Sequence, residues 1–276
     1  ILFLGLRLTG LFLPYHQDEW KNVSAATTIN GAGSFFAHPP LMQMMFVVAH
    51  RLFNADYFRL FPLLFALASA VILFFVVRKR VGREEALWST ILYATSFYAV
   101  LGSIVPDVDG AILPLFFLLT VYVYDRWKTS TDLISSDSQK LKWFALLIGT
   151  LLIGFLVKLS FVIVIGALIV DYFIDQRKDI TFRKVALGFA VSVSFAVVYV
   201  ALLYLISFVY PAFDIKIMFG HAQQFTDSLG RNWTQIIVQG VKAIFYLSPR
   251  LIVPTLFINK EIFKKIKIFV IYLIFC

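Results

Sequence analysis

Long unbroken apolar stretches make up most of the chain, with short polar runs between them. Stretches of spanning length lie at Phe58–Val77, Ala86–Ile104, Gly110–Tyr124, Trp143–Val157, Leu159–Phe173, Val185–Val209 and Ile236–Ile258. A bilayer core takes about 20 apolar residues per helix. Two further runs, Ile1–Leu13 and Ile268–Cys276, are shorter and sit at the two ends, so the sequence reads as a fragment truncated at both ends. Ile1–Leu13 lacks the basic n-region and small-residue cleavage site of a signal peptide. With both end runs included, the pattern predicts about nine crossings. The expected fold class is all-α, a polytopic transmembrane helical bundle forming a single module over residues 1–276.

The basic residues orient these spans. Arg78, Lys79, Arg80 and Arg83 share one loop, and Arg126, Lys128, Lys140 and Lys142 share the next loop on the same side. Arg177, Lys178, Arg183 and Lys184 follow, then Lys260, Lys264, Lys265 and Lys267. The intervening loops are poor in Lys and Arg, so the positive-inside rule assigns the basic loops to the cytoplasm. Pro39–Phe53 is apolar enough for a short span, but a crossing there would invert every later loop. It is also interrupted by Gln43, His50 and Arg51. It is therefore expected to be an interfacial juxtamembrane helix, within a first external loop that covers residues 14–56.

Composition narrows the classes further. The chain is 60% hydrophobic and 15% charged, with a mean hydropathy of +0.84; soluble domains carry about 45–50% apolar and about 25% charged residues. An ordinary cytosolic enzyme and a disordered protein are excluded. A lone cysteine, Cys276, excludes an intrachain disulfide and a cysteine metal cluster. The net charge of +9 is spread over the basic loops and belongs to membrane topology, so no nucleic-acid partner is expected.

Ionisable residues near membrane depth carry the functional information. On the external side these are Asp18-Glu19, His38 in the His38-Pro39-Pro40-Leu41 turn, Arg59, Asp107 and Asp109 in the Pro106–Gly110 loop, and Lys158 between two apolar spans. Each has a plain structural explanation as well. Asp18-Glu19 fits a solvated loop, the prolines fit a helix start, Asp107 or Asp109 fits a helix cap, and Lys158 fits a lysine reaching for the headgroups. Together they form a set on one side of the membrane. External carboxylates can act as general bases toward an acceptor or hold a divalent cation. A lysine and an arginine at that depth can stabilise a departing phosphate. No Gly-rich phosphate loop is present.

In this order the motifs resemble the GT-C membrane glycosyltransferases, closest to the dolichyl-phosphate-mannose protein mannosyltransferases and their bacterial relatives, which include the lipid A aminoarabinose transferase. Asp18-Glu19 matches that family's acidic pair in the first external loop. His38-Pro39-Pro40-Leu41 matches the turn into its juxtamembrane helix, and Arg59-Leu60 the start of its second span. Asp109, with Asp107 competing, matches the acidic second loop, and Lys158 the later lysine turn. Trp20 and Lys21 depart from the residues that often follow the acidic pair. The resemblance implies inverting transfer of a sugar from a polyprenyl-phosphate donor to a protein, lipid or glycan acceptor at the extracytoplasmic face. It implies Asp18 as catalytic base, with Glu19 and Asp109 in the catalytic group. His38 and Asp107 would shape the substrate site, and Arg59 and Lys158 would bind the donor phosphate. Metal dependence varies among relatives, which leaves a divalent cation open. The competing class is a transporter or flippase of a lipid-linked or small solute, for which internal repeats and broken helices would be expected.

Overall fold

The computed structural model describes residues 1–16, 19–20, 22–24, 39–54, 56–132, 136–176, 181–210, 213–220, 223 and 260–275. Among these the fold is all-helical. The helices are α1 (Leu2–Leu8), α2 (Pro40–Phe53), α3 (Leu60–Arg80), α4 (Arg83–Thr95), α5 (Phe97–Gly102), α6 (Leu113–Asp132), α7 (Asp137–Val157), α8 (Val162–Gln176), α9 (Phe182–Val209) and α10 (Lys260–Phe275). A π-turn, Val108–Ile112, leads into α6, and a 3-10 turn, Leu159–Phe161, leads into α8.

Among the described residues, four helical stretches are long and apolar enough to cross a membrane: Leu60–Arg80, Val108–Ser130, Asp137–Val157 and Phe182–Val209. Among the described residues the nine crossings expected from hydropathy are therefore not all present as long helices, and three stretches show a physical reason. The Ala86–Ile104 stretch is not one helix, because Ser96 is extended and divides it into α4 and α5. Leu159–Phe173 begins with a 3-10 turn, leaving α8 only 15 residues. The first apolar run forms only the seven residues of α1 before turning. Ile236–Ile258 lies outside the described residues.

Each spanning helix has a local cause. The 21 residues of α3 extend about 31 Å at ~1.5 Å per residue, close to the ~30 Å hydrocarbon core. Arg78, Lys79 and Arg80 fill its last turn, where cations complement the helix dipole. Its inward face carries small residues, with Ala66, Ser69 and Ala70 all buried, while Leu64, Leu67, Val71 and Phe75 point outward. That distribution suits lipid, where close backbone approach rather than water exclusion drives helix association. Helix α3 packs against α4 and α6, α6 against α7, and α8 against α10. Phe117, Val121, Leu147, Leu151, Val164, Leu168 and Ile268 form the core between them.

The break at Ser96 leaves carbonyls without helical partners. Arg7 of α1, fully buried, supplies one of the missing donors: its Nη1 donates to the Ala94 carbonyl at 2.9 Å and its Nε to Ser103 Oγ at 2.6 Å. A guanidinium in the first apolar run thus stitches α1 to the broken span. Just beyond, Gly102 and Gly110 touch through their backbones. A Cβ built on Gly110 would lie 2.4 Å from the Gly102 carbonyl oxygen. Gly110→Ala should therefore push α5 from the π-turn and lower stability by about 1–3 kcal/mol, as overpacking does, read as a lower melting temperature of the purified protein.

Candidate functional site at the end of the bundle

The first turns of α3 and the π-turn meet the C-terminus of α7 at one end of the bundle. An apolar cluster of Val23, Met42, Phe46, Phe58, Val108, Ile112 and Val157 holds that end together. Helix α2 turns Met42, Phe46 and Ala49 toward this cluster and leaves Val48 and Leu52 exposed. Pro40 at its first position begins the helix after the extended Pro39, as prolines at helix starts do.

Two ion pairs flank the cluster. Glu19 and Arg59 are both about 5% exposed and bind bidentately, with Arg59 Nη2 2.8 and 2.9 Å from the two carboxylate oxygens. Arg59 also donates to the carbonyls of Gly10 at 2.7 Å and Pro14 at 3.0 Å, and its guanidinium lies 4.8 Å from the Tyr15 ring centroid. The His16 amide donates to Glu19 Oε2 at 2.5 Å. These bonds fasten the segment after α1 to the first turn of α3. Burial raises the Tyr15 phenol above its ordinary pKa, against the lowering effect of the Arg59 cation.

Lys158 and Asp109 make the second pair. Lys158 is the extended residue that ends α7, and its ammonium donates to both Asp109 oxygens. This pair is more open, with side chains 24% and 54% exposed for Lys158 and Asp109. Asp107 acts locally, since its Oδ1 accepts from the Val108 amide at 2.7 Å and caps the π-turn. Asn22 Nδ2 donates to the Pro106 carbonyl at 2.7 Å, tying the segment beyond Glu19 to the loop that carries both aspartates.

The structure therefore gathers Glu19, Arg59, Asp107, Asp109 and Lys158 at one end of the helices. It seals Arg59 against Glu19 and leaves Lys158 and Asp109 partly open. Asp18 and His38 lie outside the described residues. Among the described residues, no group of three or more His, Cys, Asp or Glu side chains is arranged to hold a metal ion. Arg7 and Asn22 are positioning residues that sequence pattern alone does not single out. Arg7 is nonetheless detectable as the one cation within Ile1–Leu13.

The opposite end is strongly charged and contains a pocket of about 270 Å³. Arg80 grips Asp125 at 2.6 and 2.7 Å, and Lys128 and Lys267 both reach Asp171 and Asp175. Asp171 and Asp175 lie one helical turn apart on α8, so they share a face. Burial pushes the Asp175 carboxyl up, but hydrogen bonds from Lys128 and Lys267 outweigh it and hold the pKa below its ordinary value. A carboxyl with a depressed folded pKa adds stability above its unfolded value, about 3.9, and that contribution is lost as pH falls through the depressed value. Wild-type protein should therefore melt above Asp175→Asn near neutral pH, and the gap should close as pH falls below about 4. Neither Lys158 nor Asp109 lines this pocket.

Comparison with curated proteins finds no match. The family model described as dolichyl-phosphate-mannose-protein mannosyltransferase matches residues 37–204, more than half of the chain. His38, Arg59, Asp107, Asp109 and Lys158 fall within the match, and Asp18 and Glu19 precede it. With four helices fit to cross a bilayer among the described residues and a match of this extent, the chain belongs to the dolichyl-phosphate-mannose-protein mannosyltransferase family and is an integral membrane glycosyltransferase.

Proposed function

We propose that the chain transfers a sugar, with inversion, from a polyprenyl-phosphate donor to a protein, lipid or glycan acceptor at the extracytoplasmic membrane face. The observation that carries this reading is the half-open Lys158–Asp109 pair beside the sealed Glu19–Arg59 pair, at the end of the bundle remote from the basic loops. The positive-inside rule turns that end outward. In this reading Asp18 takes the proton of an acceptor hydroxyl, whose oxygen attacks the sugar C1. The C1–O bond to phosphate breaks, and the polyprenyl phosphate leaves with the electron pair. An ammonium has three donors. Asp109 engages Lys158 through two oxygens, and a further donor is available for the developing phosphate charge, where electrostatic help is worth most.

Glu19 acts here as a positioning residue. Its bonds to Arg59 and to the His16 amide fix the backbone next to Asp18. His38 and Asp107 border the substrate site, Asp107 through the π-turn it caps.

The test is a transfer assay with a labelled polyprenyl-phosphate sugar. Lys158→Met should raise the donor KM and lower kcat by about 10²–10³, the range for loss of one charge-stabilising donor. Wild-type kinetics in Lys158→Met would remove Lys158 from the donor site.

A further inference from the structure

The pocket at the basic end has no part in the transfer reading, and its charges do not cancel. Six cations line it, Lys79, Arg80, Lys128, Lys264, Lys265 and Lys267, against three carboxylates, Asp125, Asp171 and Asp175, an excess of three positive charges. Arg80, Lys128 and Lys267 are committed to the aspartates. Lys79 donates to the Asp125 carbonyl at 2.9 Å and to Thr129 Oγ1 at 3.0 Å. The three excess charges therefore sit on Lys79, whose ammonium is held by those neutral oxygens, and on Lys264 and Lys265 at the start of α10. Lys264 is 73% exposed and, among the described residues, pairs with the equally exposed Glu261 at 3.3 Å. Such an exposed pair is weak, and Lys265 is exposed as well.

The helices that carry the pocket expose large apolar side chains on their outer faces. Ile169, Phe173 and Ile174 are exposed on α8, the helix that carries Asp171 and Asp175, and Phe263 is exposed beside Lys264. A cationic pocket at the ends of helices whose outer faces are apolar lies where lipid headgroups meet the protein, with acyl chains free to run along those faces. A soluble anion would use only the first of these. Basic pockets between transmembrane helices are suited to anionic headgroups, and each Lys near such a surface strengthens binding about five-fold.

We propose that this pocket binds the phosphate headgroup of an anionic membrane lipid, with Lys264 and Lys265 supplying the uncommitted charge. Under the orientation given by the basic loops, that lipid belongs to the cytoplasmic leaflet. The site is separate from the transfer chemistry at the other end.

The test uses the full chain in detergent, observed by native mass spectrometry with added phosphatidylglycerol, phosphatidylcholine or inorganic phosphate. Wild-type protein should retain phosphatidylglycerol over phosphatidylcholine. Lys264→Gln with Lys265→Gln should weaken phosphatidylglycerol retention on the order of thirty-fold and leave phosphatidylcholine unaffected. Arg183→Gln with Lys184→Gln removes the same charge from an exposed site outside the pocket and should retain phosphatidylglycerol like wild type. Equal losses in the two double variants, or none in the pocket variant, would overturn the site. Displacement of phosphatidylglycerol by an equal concentration of inorganic phosphate would overturn the lipid assignment in favour of a soluble anion.

Discussion

Asp18→Asn should lower sugar transfer by about 10²–10⁴, the contribution of a positioned general base, while the donor KM changes little. The substitution keeps the size of the side chain and removes only its ability to take a proton. In the proposed reaction Lys158 holds the donor phosphate, so donor binding should persist. Asp18→Glu, which restores a carboxylate on a longer arm, should recover part of the rate. A structural role for Asp18 would show the opposite pattern, with reduced expression and melting temperature and no selective loss of kcat. Steady-state kinetics on purified protein, alongside a melting curve for each variant, separates the two.

Arg59→Met should be among the most damaging single changes to the fold. Removing one partner of a buried ion pair leaves the other charged and unpaired, at a cost of about 3–5 kcal/mol. Here Arg59 also serves the carbonyls of Gly10 and Pro14, so the segment leading to Asp18 loses its anchor as well. Glu19→Gln should cost less, since an amide oxygen can still accept from the guanidinium. The double variant Arg59→Met with Glu19→Gln should be less destabilised than the sum of the two single changes, as for residues in direct contact. Melting temperatures of the four proteins complete the cycle. Strict additivity would show that the pair is not coupled.

The helical class and the two opposed ends are legible in the sequence, because hydropathy and basic loops depend on composition over many residues. Counting crossings also puts Asp109 and Lys158 on one side, and the structure joins them directly. What stays hidden depends on contacts distant in sequence. The resemblance implies donor-phosphate binding for Arg59, and nothing in its motif announces the bond to Glu19, forty residues earlier. The break at Ser96 has no Gly or Pro to announce it; its Ala94 carbonyl is satisfied by Arg7, 87 residues away. In sequence the basic loops carry only an orientation signal, since pairing Arg80 with Asp125 and Lys267 with Asp171 requires knowing which helix ends meet.

Inverting transfer from a lipid-phosphate donor leaves its signature in the anomeric configuration of the product. Purified full chain in a lipid bilayer should move label from a polyprenyl-phosphate sugar of defined anomer and leave the product as the opposite anomer. A nucleotide sugar should give no product. Retention of configuration, or transfer from the nucleotide sugar in place of the lipid donor, would rule out the proposed reaction.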